Sequence, residues 1–175
     1  MPTLHVSPLS QLAATAAASG ARHLVTLLNV GMEVERPASI APERHLCLRL
    51  SDISAPREGH VLAAEDDVAR LIAFLRAWDR QAPLLIHCWA GISRSTAAAF
   101  IAACALAPER EEAEVARALR EAAPSATPNP RLVALADAAL DREGRMTRAI
   151  AAIGRGAEAF EGTPFVMPLS AASRC

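Results

Sequence analysis

The chain has 175 residues, of which 52% are hydrophobic and 21% charged. That is enough length and apolar content for one folded domain with a sizeable core, and it excludes a disordered chain. A formal net charge of −1 carries no polybasic signature, so neither nucleic acid nor an anionic membrane is expected as the main partner.

Thr3 to Val6 has the composition of a short edge strand. Ser7 and Pro8 then read as an N-cap and first helical residue, opening a helix to about Ala18 that Gly20 ends. His23 to Leu28 is the next strand, followed by Asn29-Val30-Gly31. Met32 to Glu43 carries two prolines and no period, which makes it a loop. From Arg44 to Leu50 the pattern alternates, with Leu46, Leu48 and Leu50 on one face and His45, Cys47 and Arg49 on the other. Ser51-Asp52-Ile53 ends that strand, and Pro56 and Gly59 mark a further loop. Between Ala63 and Asp79 the residues Val68, Leu71, Ile72, Leu75 and Trp78 share one helical stripe. Glu65, Asp66 and Asp67 crowd its first turn, where the helix dipole favours negative charge.

Leu84-Leu85-Ile86-His87-Cys88 is an apolar strand, and after a short loop an Ala-rich helix runs from Thr96 to Leu106. Helices then follow over Glu109 to Ala122, from Asn129-Pro130 to about Arg142, and over Arg145 to Ile153. Early strands and late helices predict a single α/β domain over 1–160. Its central, mostly parallel sheet has about four to five strands flanked by helices, and an irregular tail occupies 161–175.

Cys88-Trp89-Ala90-Gly91-Ile92-Ser93-Arg94-Ser95 is where this arrangement acquires chemistry. A strand, a tight loop and a helix N-terminus in that order form an anion site, since loop amides and the positive end of the helix dipole converge. Cys88 stands at the mouth of that field, which favours the thiolate. Arg94 supplies a planar fork for two oxygens of a phosphate. Gly91 permits a turn that a Cβ would obstruct. The spacing alone is weak evidence, because chance supplies about 0.4 Cys–Arg pairs at this interval in such a composition, and Cys104 to Arg110 is one. Only around Cys88 do His87, Gly91, Arg94 and Ser95 also stand between a strand and a helix.

This stretch resembles the protein tyrosine phosphatase superfamily, whose signature is His-Cys, five residues, then Arg-Ser or Arg-Thr. The form Ala-Gly-Ile-Ser-Arg-Ser is most similar to the dual-specificity branch and its bacterial relatives. The resemblance implies a phosphatase-like fold and a cysteinyl-phosphate mechanism, with Cys88 as nucleophile and residues 89–94 binding phosphate. It also implies an acid in a loop after a strand, a few tens of residues before the cysteine. Asp52, 36 positions ahead, is the candidate, although no Trp-Pro-Asp triplet is present. Asp66 and Asp67 look committed to a helix start. Ser95 is placed to donate to the Cys88 sulfur and ease phosphate release, or simply to begin a helix. By resemblance His87 orders the loop and helps tune the thiol; the alternative is a satisfied core histidine. Asn129 resembles the Pro-Asn found after the signature helices, but the Gly-Phe that follows there is Pro130-Arg131 here, and an N-cap role is the more direct reading.

The expected activity is therefore hydrolysis of phosphate monoesters, with aryl phosphates favoured over phosphoinositides because no Lys occurs in the chain. Arg36, Arg44, Arg57 and Arg131 are the cations able to alter that preference. Rival readings are a phosphate-binding pseudophosphatase, a phosphatase acting on a non-protein substrate, and sulfur transfer or arsenate reduction. Cys47, Cys88, Cys104 and Cys175 show no metal-ligand spacing, so no metal or cofactor is expected. Cys47 or Cys104 has a possible redox role beside Cys88. The N-terminus lacks a signal-peptide pattern, Ser95 to Pro108 is too short to span a bilayer, and a nucleophilic thiol needs a reducing compartment; the expected location is cytoplasmic. With Arg in place of every Lys and abundant Ala, the composition is that of a GC-rich, bacterial type of genome. A phosphorylated protein or small molecule is the expected partner, and the oligomeric state is not legible.

Overall fold

Strand β4, Leu84–Cys88, is buried at every position, as a strand must be when it has neighbours on both edges and layers on both faces. In the computed structural model, which describes residues 3–167 and Leu169, four further strands surround it. These are β1 (Leu4–Pro8), β2 (His23–Leu28), β3 (His45–Arg49) and β5 (Phe165–Met167). Their order is β3-β2-β4-β1-β5. All neighbours are parallel except β1 and β5. The protein is thus a single α/β domain with a mostly parallel five-stranded sheet, as the chain's pattern predicts.

Three local expectations are corrected. Strand β1 is not an edge strand, because it lies between β4 and β5. Nor do Ser7 and Pro8 begin a helix: pairing with His87 and Cys88 draws both into β1. Proline has no amide to donate, and because β5 pairs only with Leu4 to Val6, one edge of β1 is open at Pro8. The chain turns through Leu9–Gln11 before helix α1, Leu12–Ser19, which Gly20 ends at φ +68°. The tail is not wholly irregular either, since β5 adds three residues to the sheet beyond position 160. Cys175 lies outside the described residues.

The remaining helices are α2 (Glu65–Ala77), α3 (Arg94–Leu106), α4 (Glu112–Ala122), α5 (Pro130–Ala139) and α6 (Arg145–Ile153). Side chains alternate across a strand, and the two faces are covered unequally. Leu24 and Leu85 pack with Leu12 and Ala16 of α1 on one face. Val25, Leu27, Leu84, Ile86 and Cys88 face the core built with α2 to α6. Helix α3 is buried all round from Arg94 to Cys104, and its alanines let α2, α4 and α5 approach closely. Glu112, at the head of α4, is held by Arg142 at 3.0 Å and Arg145 at 3.3 Å. Burial raises its pKa, but its own backbone amide and the two arginines outweigh that and leave it below the usual carboxylate range. No helix of the described residues is long and apolar enough to cross a membrane.

Candidate active site

The loop 89–93 leaves the carboxyl end of β4 and enters α3. Its carbonyls are bonded outward by distant parts of the chain. Leu9 N–H donates to Trp89 O at 3.1 Å, Gly162 N–H to Ala90 O at 2.7 Å, Thr127 N–H to Ile92 O at 2.9 Å and Asn129 N–H to Ser93 O at 3.2 Å. In a peptide unit the N–H points opposite to the C=O. Holding the carbonyls outward therefore turns the following amides toward the inside of the loop. Gly91 makes the bend at φ +69°, and a Cβ there would lie 2.7 Å from Pro8 N.

Cys88 Sγ sits at the floor, 2% exposed as a residue. It accepts from Gly91 N–H at 3.2 Å and lies 3.1 Å from Ser95 Oγ. Arg94 is also buried, and its Nη1 donates to Asn29 Oδ1 at 2.6 Å and to Leu50 O at 2.8 Å. Among the described residues its Nε has no hydrogen-bond partner. With Nη1 held from behind, the Nε–Nη2 edge is left for a planar, two-oxygen contact with an anion. The loop amides, the α3 N-terminus and this guanidinium edge converge beside the sulfur, and their chemistry suits one tetrahedral anion.

Asp52 follows β3 and is solvent-exposed. Its Oδ1 accepts from Ser93 Oγ at 2.7 Å and Asn129 Nδ2 at 2.8 Å, so a proton on this carboxyl belongs on Oδ2. The Asn129 side chain works in two directions, since its Oδ1 also caps α5 by accepting from the amides of Arg131 and Leu132. Asp66 and Asp67 stand at the head of α2, where Asp67 accepts from Ala64 N–H at 2.9 Å.

His87 lies on the α1 face of β4, away from the Cys88 side chain, as strand alternation requires. Its Nε2 is 2.8 Å from Thr26 Oγ1, which is also 2.8 Å from His45 Nε2. Burial pushes the His87 pKa down to about 4, against a partial offset from the Cys88 main chain. The ring is therefore neutral near pH 7, and its Nδ1 has no hydrogen-bond partner among the described residues. Cys47 shares that network, 3.2 Å from His45 Nε2. Thr26 separates it from β4 in the strand register. Two strand spacings, about 9.6 Å, are beyond disulfide reach. Cys104 lies ten residues along α3 from Arg94, about 15 Å by helical rise, and burial pushes its thiol up to about 12. Neither geometry suits a disulfide with Cys88.

A cleft of about 600 Å³ opens over the sulfur. Trp89, Ala90, Ile92, Ser93 and Arg94 line its floor, and Asp52, Arg57 and His60 come from the loop after β3. Among Arg36, Arg44, Arg57 and Arg131, only Arg57 lines this cleft. Arg44 instead pairs with Asp79 at 3.4 Å, while Arg36 and Arg131 donate to the carbonyls of Ile40 and Ala63. The structure thus gathers Cys88, residues 89–94, Ser95, Asp52 and Asn129, with His87 directly beneath. Asn29, the Leu50 carbonyl, His60, Phe160 and Gly162 were not singled out by sequence. Asn29 directly follows β2, but that β2 lies beside β4 emerges only from the sheet order.

No family model and no curated protein matches the chain. Solved structures do. Human DUSP28 superimposes with a TM-score of 0.62 at 19% identity, covering 82% of this chain and 96% of that one. The Cydia Pomonella PTP-2 phosphatase gives 0.61 at 18%, covering 77% and 84%. A mouse putative dual specificity phosphatase complexed with zinc tungstate gives 0.61 at 18%, covering 84% and 86%. The chain has the fold of these phosphatases.

Proposed function

We propose that the protein is a cysteine-dependent phosphatase that hydrolyses phosphate monoesters, aryl phosphates such as phosphotyrosine foremost. The observation that carries this reading is the outward anchoring of the loop carbonyls around Cys88, with a buried Arg94 edge left for an anion. The fold shared with phosphatases supports it. Cys88 thiolate attacks phosphorus while the inward amides and Arg94 hold the non-bridging oxygens. The S–P bond forms as the ester P–O bond breaks, and Asp52 gives its proton to the departing oxygen. Water then attacks the cysteinyl phosphate, Asp52 takes a proton from it, and the S–P bond breaks to release phosphate and the thiolate. Ser95, 3.1 Å from the sulfur, stabilises the departing thiolate.

The cation count favours a single phosphoryl group. Arg94 serves it directly, and of Arg36, Arg44, Arg57 and Arg131 only Arg57 lines the cleft, so a ligand with several phosphates finds few partners. Turnover of a phosphotyrosine peptide, an alkyl phosphate and a soluble phosphoinositide tests both the activity and this preference. The Cys88→Ser protein is expected to lose turnover and to retain oxyanion binding, detected as a thermal shift with phosphate. Appreciable hydrolysis by Cys88→Ser overturns the nucleophile assignment.

A further inference from the structure

Aromatic residues make up only 3% of the chain, yet two of them stand together at the mouth of the cleft. Trp89 and Phe160 meet edge to face, with centroids 5.5 Å apart and an interplanar angle of 77°. Both line the cleft over Cys88. They remain 45% and 82% exposed, so their mutual contact hides little of either ring. Trp89 directly follows the sulfur-bearing residue. Phe160 arrives from the segment 154–164, between α6 and β5.

That segment is tethered on both sides of the ring. Before it, Gly156 N–H donates to Thr127 Oγ1 at 3.1 Å and Ala157 N–H to Pro124 O at 2.9 Å. After it, Glu161 accepts from Ser10 Oγ at 2.8 Å, and Gly162 N–H reaches Ala90 O at 2.7 Å. The approach at Gly162 is close enough that a Cβ would lie 2.7 Å from Gly91 O. A fixed segment thus carries a large apolar side chain that it leaves in water. Such a placement suits a contact made with something else.

Building on the phosphatase reading, we propose that Trp89 and Phe160 form the wall that receives the planar aromatic group of an aryl phosphate monoester, with segment 154–164 as a specificity element. The phosphoryl group is held at the floor by the loop and Arg94. The ring attached to it then lies beside Trp89 and meets an aromatic face or edge, a contact that an alkyl phosphate makes only through its apolar area.

Calorimetric binding to Cys88→Ser protein tests this, with phosphotyrosine amide, phosphoserine amide and inorganic phosphate as probes. Phosphotyrosine is expected to bind more tightly than phosphoserine. Phe160→Ala should weaken phosphotyrosine roughly three- to tenfold, the worth of one aromatic contact. Inorganic phosphate should change by less than about twofold, and Phe160→Trp should restore the preference. Because Phe160 is mostly in water, its removal leaves the core intact. Equal weakening of phosphotyrosine and phosphate overturns the proposal, as that outcome makes the segment a mere support for the loop. Unchanged or undetectable phosphotyrosine binding overturns it as well. Wild-type protein that binds phosphotyrosine with this dependence on Phe160 but never turns it over refutes the phosphatase reading and leaves the wall standing.

Discussion

Replacing Asn129 by serine separates two tasks that one side chain performs. Asn129 Oδ1 caps α5 through the amides of Arg131 and Leu132, at 3.0 and 3.1 Å. Its Nδ2 donates to Asp52 Oδ1 at 2.8 Å and to Ile53 O at 3.2 Å. A serine hydroxyl caps as well as asparagine does, but it is an atom too short to hold Asp52. Ser93 Oγ, at 2.7 Å, remains as the other tether. Hydrogen bonds to a charged group contribute about 1.5–3 kcal/mol, and the exposure of Asp52 puts this one at the low end. If Asp52 is the acid, the loss of about 1.4 kcal/mol of positioning lowers kcat about tenfold. That loss should appear with poor leaving groups such as unsubstituted phenol and shrink with nitrophenol. On the same figure the melting temperature of Asn129→Ser should fall by about 3–6 °C. Asn129→Ala, which also removes the cap, loses about 1 kcal/mol more, or about 2–4 °C. The measurements are kcat across a leaving-group series and thermal melts of both variants. An Asn129→Ser enzyme with wild-type kcat on phenyl phosphate refutes the chain of reasoning that runs from this contact to the acid.

Asp52→Asn is expected to cut kcat by about 10²–10⁴ on poor leaving groups and far less on activated ones; an equal loss on both kinds of substrate points away from Asp52 as the acid. Gly91→Ala should cost roughly 2–4 kcal/mol in denaturant unfolding and abolish phosphate binding, because the left-handed backbone and a clash with Pro8 act together. Gly20→Ala, at φ +68° in open space, controls for the backbone conformation alone and should cost about 1–2 kcal/mol. Stability should also fall on acidification. His87 titrates at about 4 when folded against 6.5 when free, so the unfolded chain binds more protons between those values and stability rises with pH there. At about 1.4 kcal/mol per pH unit the loss reaches about 3 kcal/mol by pH 4 and stops below it. Denaturant titrations from pH 8 to 4 on wild type and His87→Gln measure it, and identical slopes in the two refute the assignment.

The signature loop was legible because its chemistry is local: strand, nucleophile, glycine, arginine and helix start fall within a dozen residues. The α2 stripe and the alternation of β3 were legible for the same reason. Strand order was not. Nothing within Thr3 to Val6 says that β4 lies on one side and β5 on the other, because sheet neighbours are chosen by long-range pairing. The same pairing captured Ser7 and Pro8, whose local preference is for a helix start. Three residues at Phe165–Met167 are too few to display a period. Asp52 and Asn129 were each legible singly, but their mutual hydrogen bond spans 77 residues of chain. Phe160 gave no signal at all, since a lone aromatic in a glycine-rich stretch reads as loop.

The four outward anchors of the loop come from residues 9, 127, 129 and 162, which means from nearly the whole length of the chain. No fragment that ends before residue 162 can assemble all of them, whatever its helices and strands have achieved. On a growing polypeptide the bowl of amides is therefore among the last features to close. A lesion at either end of the chain should reach the loop with no need to touch Cys88 or Arg94. Affinity for a simple oxyanion is then a gauge of completed folding, readable in variants whose spectra still report intact helices.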